Sequence, residues 1–235
     1  MPPSTASRTA AIMQPTWLPY LGYFQLIAAA DVFIFLDDVQ FARRSWQSRN
    51  RILNPAGEEQ MLTVPVKKAD RDTPIAAIEI DDSQPWRPKH LNALRHAYAA
   101  RPRFAEGQAF LEEQLALHVN GRLSDLTCGL IETAAGHMGL TTPFVRASAL
   151  ACPGHRSDHL LALCQAVGAD AYLSPTGSAD YMEEDGVFAA AGFPVRFKAF
   201  DMREYPQGRE GFTPYMGFID ALMNVGWAGM PALVT

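Results

Sequence analysis

Cysteine is scarce in this chain, with three in 235 residues, and no two of them form a Cys-x-x-Cys pair. That odd, scattered set argues against a disulfide framework and against a zinc knuckle. Long apolar runs are missing too. None reaches the roughly 18 uninterrupted residues that a spanning helix needs, and the apolar stretch after residue 9 is broken by Gln14, Pro15 and Pro19, so no signal-peptide core can be drawn. Positive charge is in deficit, 20 Lys and Arg against 25 Asp and Glu. A protein that grips nucleic acid by bulk charge needs many phosphate-neutralising cations on one face. The expected partner is therefore a small molecule rather than nucleic acid or a membrane, the expected location is the cytoplasm, and any anion site must be local. There is no internal repeat, low-complexity tract or charge block. What the chain does have is 48% hydrophobic residues, enough for a buried core.

Ala10–Met13 is a short apolar run, followed by a Pro-containing turn, a helix-like segment to about Ala30 and the wholly apolar Val32–Leu36. A strand apolar on both faces is what a buried parallel sheet requires, and the intervening length suits a crossover helix, so the opening reads β-α-β. Met61–Val66 and Ile75–Ile80 are further strand candidates, with Pro65 pushing the first towards an edge or a bulge. Helical spacing over Arg87–Ala100, Ala105–Val119 and Leu123–Met138 predicts a helical lobe at approximately residues 86–140. Beyond Pro143 the alternation returns, with strands at Phe144–Ala149, Ala171–Leu173 and Val195–Phe200. A helix over Ser157–Val167, capped by Ser157 and ended by Gly168, lies among them, and a last helix covers Tyr215–Val225. The expected fold is α/β, a Rossmann-like, mostly parallel sheet with a helical insertion, residues 1–235 forming a single domain.

Open α/β sheets bind ligands beyond the carboxyl ends of their strands. After the first strand those positions hold Gln14, Pro15, Thr16 and Trp17; after the second, Asp37, Asp38, Val39, Gln40 and Phe41. Adjacent carboxylates leaving a buried strand can hold Mg²⁺, orient an amine or supply a general base; alternatively one caps a turn and the other faces solvent. Arg43, Arg44, Arg49 and Arg51 are interleaved with Trp46, Gln47 and Asn50. Guanidinium forks suit phosphate or carboxylate, and an indole can stack on a base or a sugar face; the plain alternative is a solvated basic loop. Tyr172–Ser178 passes from a strand end through a Ser/Thr/Gly turn that can present N–H groups and hydroxyls to an anion, with an ordinary N-cap at Ser178 as the simpler reading. His155 and His159 are four apart, but a helix capped at Ser157 leaves His155 outside it, so no metal is expected. Cys164 falls in an apolar stripe and reads as core, and Cys152 in its loop has no assigned histidine.

MQPTWLPYLGYFQLIAAADVFIFLDDVQFARRSWQSRNRI, GHRSDHLLALCQAVGADAYLSPTGSADYM and the ending PYMGFIDALMNVG together resemble the WbqC-like family over nearly the whole chain. Members begin with a Gln-Pro-x-x-x-Pro-x-x-Gly-Tyr-Phe element, then Leu-Asp-Asp-Val-Gln-Phe and a Trp-Gln-x-Arg-Asn block. The resemblance implies a place in bacterial O-antigen and related surface-polysaccharide biosynthesis, and a suggested glycine transferase role. The substrate so implied is an amino sugar, carried on a nucleotide, on which an amide is formed. The positions matching the family's motifs are Gln14, Pro15, Gly22, Tyr23, Asp37, Asp38, Gln40, Trp46, Arg49, Asn50, Ser174, Gly177 and Tyr181, while Tyr20 stands where many relatives have Trp. On this footing Asp37, Asp38 and Gln14 are the candidate catalytic residues. The candidate substrate-binding residues are Trp17, Tyr20, Tyr23, Gln40, Arg43, Arg44, Trp46, Arg49, Asn50, Ser174, Gly177, Ser178 and Tyr181.

The opening is also similar in outline to pantothenate synthetases and other nucleotidylyl transferases, which activate a carboxylate with ATP at a His-x-Gly-His turn. The corresponding Tyr20-Leu21-Gly22-Tyr23 lacks both histidines. That outline implies Mg-ATP for an alternative, an ATP-dependent carboxylate-amine ligase; a third reading is a non-catalytic sugar-nucleotide binding module. The residues themselves identify no cofactor.

Overall fold

The computed structural model describes residues 7–119 and 121–235, Tyr181 by its backbone alone. The chain runs β1 (Thr9–Met13), α1 (Leu21–Ala28), β2 (Val32–Phe35), then a hairpin of β3 (Arg49–Leu53) and β4 (Glu59–Thr63). Three long helices follow, α2 (Trp86–Tyr98), α3 (Phe104–Leu117) and α4 (Leu123–His137). The alternation resumes with β5 (Phe144–Arg146), α5 (Ala147–Leu150), α6 (Ser157–Ala166), β6 (Ala171–Pro175), α7 (Ala179–Asp185), α8 (Val187–Ala190) and β7 (Val195–Lys198), and closes with α9 (Phe218–Gly229) and α10 (Pro231–Val234).

Five strands form one sheet in the order β5-β2-β1-β6-β7, every neighbouring pair parallel. This is a Rossmann-like α/β fold, and the strand order reverses between β1 and β6, where such sheets open a crevice at their carboxyl ends. Alternation along the strands splits the core in two. Ala11, Phe33, Phe35 and Leu173 face one cluster with Phe24 and Ile27 of α1, Leu130 and Ile131 of α4, and Phe218 and Leu222 of α9. Ala10, Ile12, Val32, Ile34 and Tyr172 face the other, with Leu160, Leu163 and Cys164 of α6 and Phe188 of α8. Helices on both sides explain why β2 is apolar at every position. No helix of the described residues is long and apolar enough to cross a membrane.

Several boundaries differ from the sequence expectation, each for a local reason. Ile75–Ile80 is a 3-10 turn over Ile75–Ala77 followed by isolated bridges, and β4 stops at Thr63, because Pro65 and Pro74 cannot donate to a ladder. The strand from Phe144 ends at Arg146, where Asp37 at the neighbouring strand end takes the Ser148 N–H (2.9 Å) and hydroxyl (2.8 Å) and turns the chain into α5. Neither expected serine cap forms: Ser157 donates to Asp185 (2.6 Å) and Ser178 to the Pro175 carbonyl (2.7 Å). The helix expected over Tyr215–Val225 starts at Phe218, because Gly217 is held in a bridge with Tyr20, where a Cβ would lie 2.7 Å from the Leu18 carbonyl oxygen.

Buried in α2, His90 packs against Trp17 and Trp86 and lies with Nε2 3.1 Å from the Thr63 carbonyl oxygen. Burial, the largest influence, pushes its pKa down to about 4. An unfolded histidine titrates near 6.5, so as pH falls below that value the unfolded chain takes up a proton that the native state refuses until about pH 4. Stability should fall by roughly 3 kcal/mol across that window, and denaturant unfolding at pH 7, 5.5 and 4 should show the loss in the wild type and not in His90→Gln.

Candidate functional site

At the reversal point the carboxyl ends of β1 and β6 bring Gln14 and Ser174 together around a cavity of about 330 Å³. Its polar wall is Gln14, Thr16, Ser45, Gln47, Tyr172, Ser174 and Ser178; Ile12, Met13, Leu36 and Leu160 are apolar, and Trp46 supplies a half-exposed indole. Gln47 is fixed, accepting from the Ala42 N–H (2.9 Å) and donating to Gln14 Oε1 (2.9 Å). The Gln14 side-chain oxygen is thereby occupied, and its NH₂ has no hydrogen bond to the described residues. Ser174 hydrogen-bonds Ser178 and donates to the Tyr172 hydroxyl (3.2 Å). Neutral hydroxyls and amides beside one indole match the alternating polar and apolar faces of a sugar.

The two aspartates after β2 part company. Asp37 is fully buried, with both oxygens engaged by Ser148, and its carbonyl accepts from the Ala76 N–H (2.7 Å). Asp38 is half-buried, and its Oδ2 lies 3.0 Å from His159 Nε2. Its Oδ1 is buried with no hydrogen-bond partner among the described residues. His159 Nδ1 in turn faces the Pro153 carbonyl oxygen at 3.3 Å, in a loop with Gly154 at φ +110° and Arg156 at φ +51°. Neither Asp38 nor His159 lines the cavity itself; Leu36, two residues before Asp38, and Leu160, directly after His159, do.

A basic groove lies along the β3–β4 hairpin. This second cavity has two adjoining lobes of about 510 and 440 Å³ that share Phe41, Arg43, Val66 and Lys67, and it presents Arg44, Arg49, Lys68 and Arg71 as well, with Asp70 among its lining. Lys67 is paired with Glu79 (2.6 Å), and Arg43 donates to the Ala69 carbonyl (3.1 Å). Arg44, Arg49 and Lys68 have no carboxylate within ion-pair distance among the described residues. A surplus of unpaired cations in an acidic chain makes this the place for an anion. Arg44 holds a left-handed φ of +58°, a conformation costly for a residue with a side chain. Gln40 borders the groove and donates to the Arg71 carbonyl (2.7 Å).

A third cavity, about 350 Å³, shares Met13, Thr16 and Trp46 with the crevice and is completed by Pro19, Tyr20, Tyr23, Asn50, Arg51 and Tyr215. Asn50 is spent on structure, donating to the Trp17 (3.0 Å) and Leu18 (2.7 Å) carbonyls and so holding the turn in which Leu18 sits at φ +45°. Burial raises the pKa of Tyr20 and, more strongly, that of Tyr23, whose hydroxyl donates to the Gln14 backbone carbonyl (3.1 Å).

The structure thus groups Gln14, Trp46, Ser174 and Ser178 in the crevice, Tyr20, Tyr23, Trp46 and Asn50 around the third cavity, and Gln40, Arg43, Arg44 and Arg49 along the groove. Trp17 and Asp37 are interior. Gly177 is exposed on the 3-10 turn Thr176–Ser178 with open space around it, and the Tyr181 side chain lies outside the described residues. Sequence reasoning passed over His159 as a partner of Asp38 and over Lys67, Lys68 and Tyr215, and it noted Thr16, Gln47 and Arg51 within their segments without naming them as site residues. The Lys67-Lys68 pair just past β4 was a legible signal, whereas the aspartate–histidine contact left none in local spacing.

The family model described as the WbqC-like protein family matches residues 14–231. An uncharacterized protein of Mycobacterium tuberculosis, Rv1507c, is 33% identical over 225 residues, covering 93% of this chain and 94% of the relative. No solved structure matches significantly. With a match across almost its full length, this chain belongs to the WbqC-like protein family.

Proposed function

We propose that the protein is a transferase that forms an amide on an amino sugar, carried on a nucleotide and destined for a bacterial surface polysaccharide such as O-antigen. The observation that carries this reading is Asp38, with one oxygen braced by His159 and the other buried without a hydrogen-bond partner among the described residues, two residues beyond the Leu36 that lines a crevice of hydroxyls and amides. The sugar lies in the crevice against Trp46, and its phosphates reach Arg43, Arg44 and Arg49. The sugar amine attacks the carbonyl carbon of a glycyl, aminoacyl or acyl donor. The C–N bond forms, Asp38 Oδ1 takes the proton from nitrogen and passes it to the leaving sulfur or oxygen as the donor's C–S or C–O bond breaks, so that a thiol or alcohol departs and the carboxylate is restored. The free Gln14 NH₂ donates to the oxyanion that develops on the way.

Thermal unfolding with nucleotide-linked amino sugars, MgATP and acyl thioesters, each in excess, tests the reading. A ligand at about 100 times its Kd adds roughly 2.7 kcal/mol, which for a chain of this size raises Tm by roughly 5–10 °C. The expected result is such a shift with an amino-sugar nucleotide, followed by appearance of the amide by mass spectrometry when a donor is added. A shift with MgATP alone would replace this reading with the ligase.

A further inference from the structure

We propose that the third cavity, between Trp46 and Tyr215, seats a planar heteroaromatic ring, the base of the nucleotide whose phosphates lie in the arginine groove. The nucleotide is taken from the reading above; the ring seat stands on three features of the cavity itself. The first is its walls. Trp46 and Tyr215 are each 51% exposed, unusual for large rings, and Tyr20 stands edge-on to Tyr215 with ring centres 6.1 Å apart. The Arg51 guanidinium lies 5.8 Å from the Trp46 ring centre. Flat faces and a delocalised cation are the surfaces on which a base stacks.

The second is a pair of orphans. Thr16 Oγ1 and Arg51 Nε belong to residues lining this cavity, and both are buried without a hydrogen-bond partner among the described residues. Buried polar atoms are seldom left unpaired. A carbonyl oxygen or ring nitrogen on a base can accept from Arg51 Nε, and the Thr16 hydroxyl can donate or accept at the same edge. An aliphatic acyl chain in the same space would leave both unmet. The third feature is spacing. Arg49 and Arg51 lie two residues apart on β3, so on the same face and about 7 Å from each other; Arg49 lines the groove and Arg51 the ring cavity. A ligand with a base at one end and phosphates at the other follows the strand.

The test is calorimetric binding of UDP, CDP, GDP, ADP and dTDP, with pyrophosphate as the phosphate-only probe, to the full chain and to Thr16→Val and Tyr215→Gly. Glycine at 215 relieves the left-handed φ of +58°, so that variant removes the ring without straining the backbone. At least one nucleoside diphosphate should bind roughly tenfold or more tightly than pyrophosphate. Tyr215→Gly should cancel that advantage, and Thr16→Val should weaken the diphosphate roughly fivefold, with pyrophosphate unchanged in both. The proposal is overturned if no nucleoside diphosphate binds, if pyrophosphate binds equally well, or if neither variant matters. Variant-sensitive binding without turnover of any sugar nucleotide would sink the transferase and leave the ring seat standing. Turnover of a sugar nucleotide that Thr16→Val and Tyr215→Gly bind like the wild type would do the reverse.

Discussion

Replacing Asp220 with alanine is expected to lower stability by about 3–5 kcal/mol. Asp220 sits in the first turn of α9, 1% exposed. Its Oδ1 accepts from the Tyr98 hydroxyl (2.7 Å) and its Oδ2 from the Tyr205 hydroxyl (2.8 Å) and Gln207 Nε2 (3.0 Å). Tyr98 itself accepts from the Leu53 N–H at the end of β3 (3.2 Å). One carboxylate therefore ties together α2, α9, the hairpin and the segment that carries Tyr205 and Gln207. Alanine would strand three buried donors and open a void, whereas Asp220→Asn keeps the volume and an acceptor and should lose less. Urea unfolding reads the difference as a shift of midpoint at unchanged slope; an alanine variant within about 1 kcal/mol of wild type would contradict the argument. Burial, the largest influence, raises the Asp220 pKa above its ordinary 3.8, outweighing the three donors. Between 3.8 and the raised value the native state keeps a proton that the unfolded chain has released, so stability falls as pH rises through that window. Asp220→Asn removes this slope, which is opposite in sign to that of His90.

Much of the sheet is legible in the sequence because its signals are local. The uninterrupted apolar run of β2 announces burial on both faces, and Cys164 falls in the apolar stripe of α6 that packs beneath it. The burial also pushes the Cys164 thiol up to about 12, in keeping with an inert core residue. Strand β3 was hidden among arginines, yet it alternates: Asn50 and Ile52 point inward and Arg49 and Arg51 outward. The pattern is masked because one inward residue is polar, its amide satisfied by the Trp17 and Leu18 carbonyls. The serines at 157 and 178 misled in a different way. Ser157 is the first residue of α6, with Arg156 at the N-cap, and its hydroxyl is taken by the distant Asp185, while Ser178, at the N-cap of α7, turns its hydroxyl back to the Pro175 carbonyl three residues before it. The strand order and the Asp38–His159 contact depend on which distant segments meet, and no spacing along the chain encodes that.

Asp38→Asn is expected to cut amide formation roughly 10²–10⁴-fold while substrate affinity stays within a few-fold of wild type. The substitution keeps the shape of the side chain and an oxygen to accept from His159 Nε2, and removes the basic oxygen that receives the proton. Asp37→Asn separates the two adjacent carboxylates. The Ser148 N–H and hydroxyl both rely on Asp37, so that variant should lose stability, and turnover per folded molecule should change far less. His159 acts through Asp38 as a positioning residue, so His159→Gln should cost roughly tenfold in the wild type and nothing further in the Asp38→Asn background. That non-additivity separates a dyad acting as a unit from two independent contributions, because residues that merely shape the cavity would add. Single-turnover product formation, scored by mass spectrometry alongside ligand-induced stabilisation of each variant, makes the comparison. A fully active Asp38→Asn would remove Asp38 from the chemistry and, with it, the observation on which the transferase reading rests.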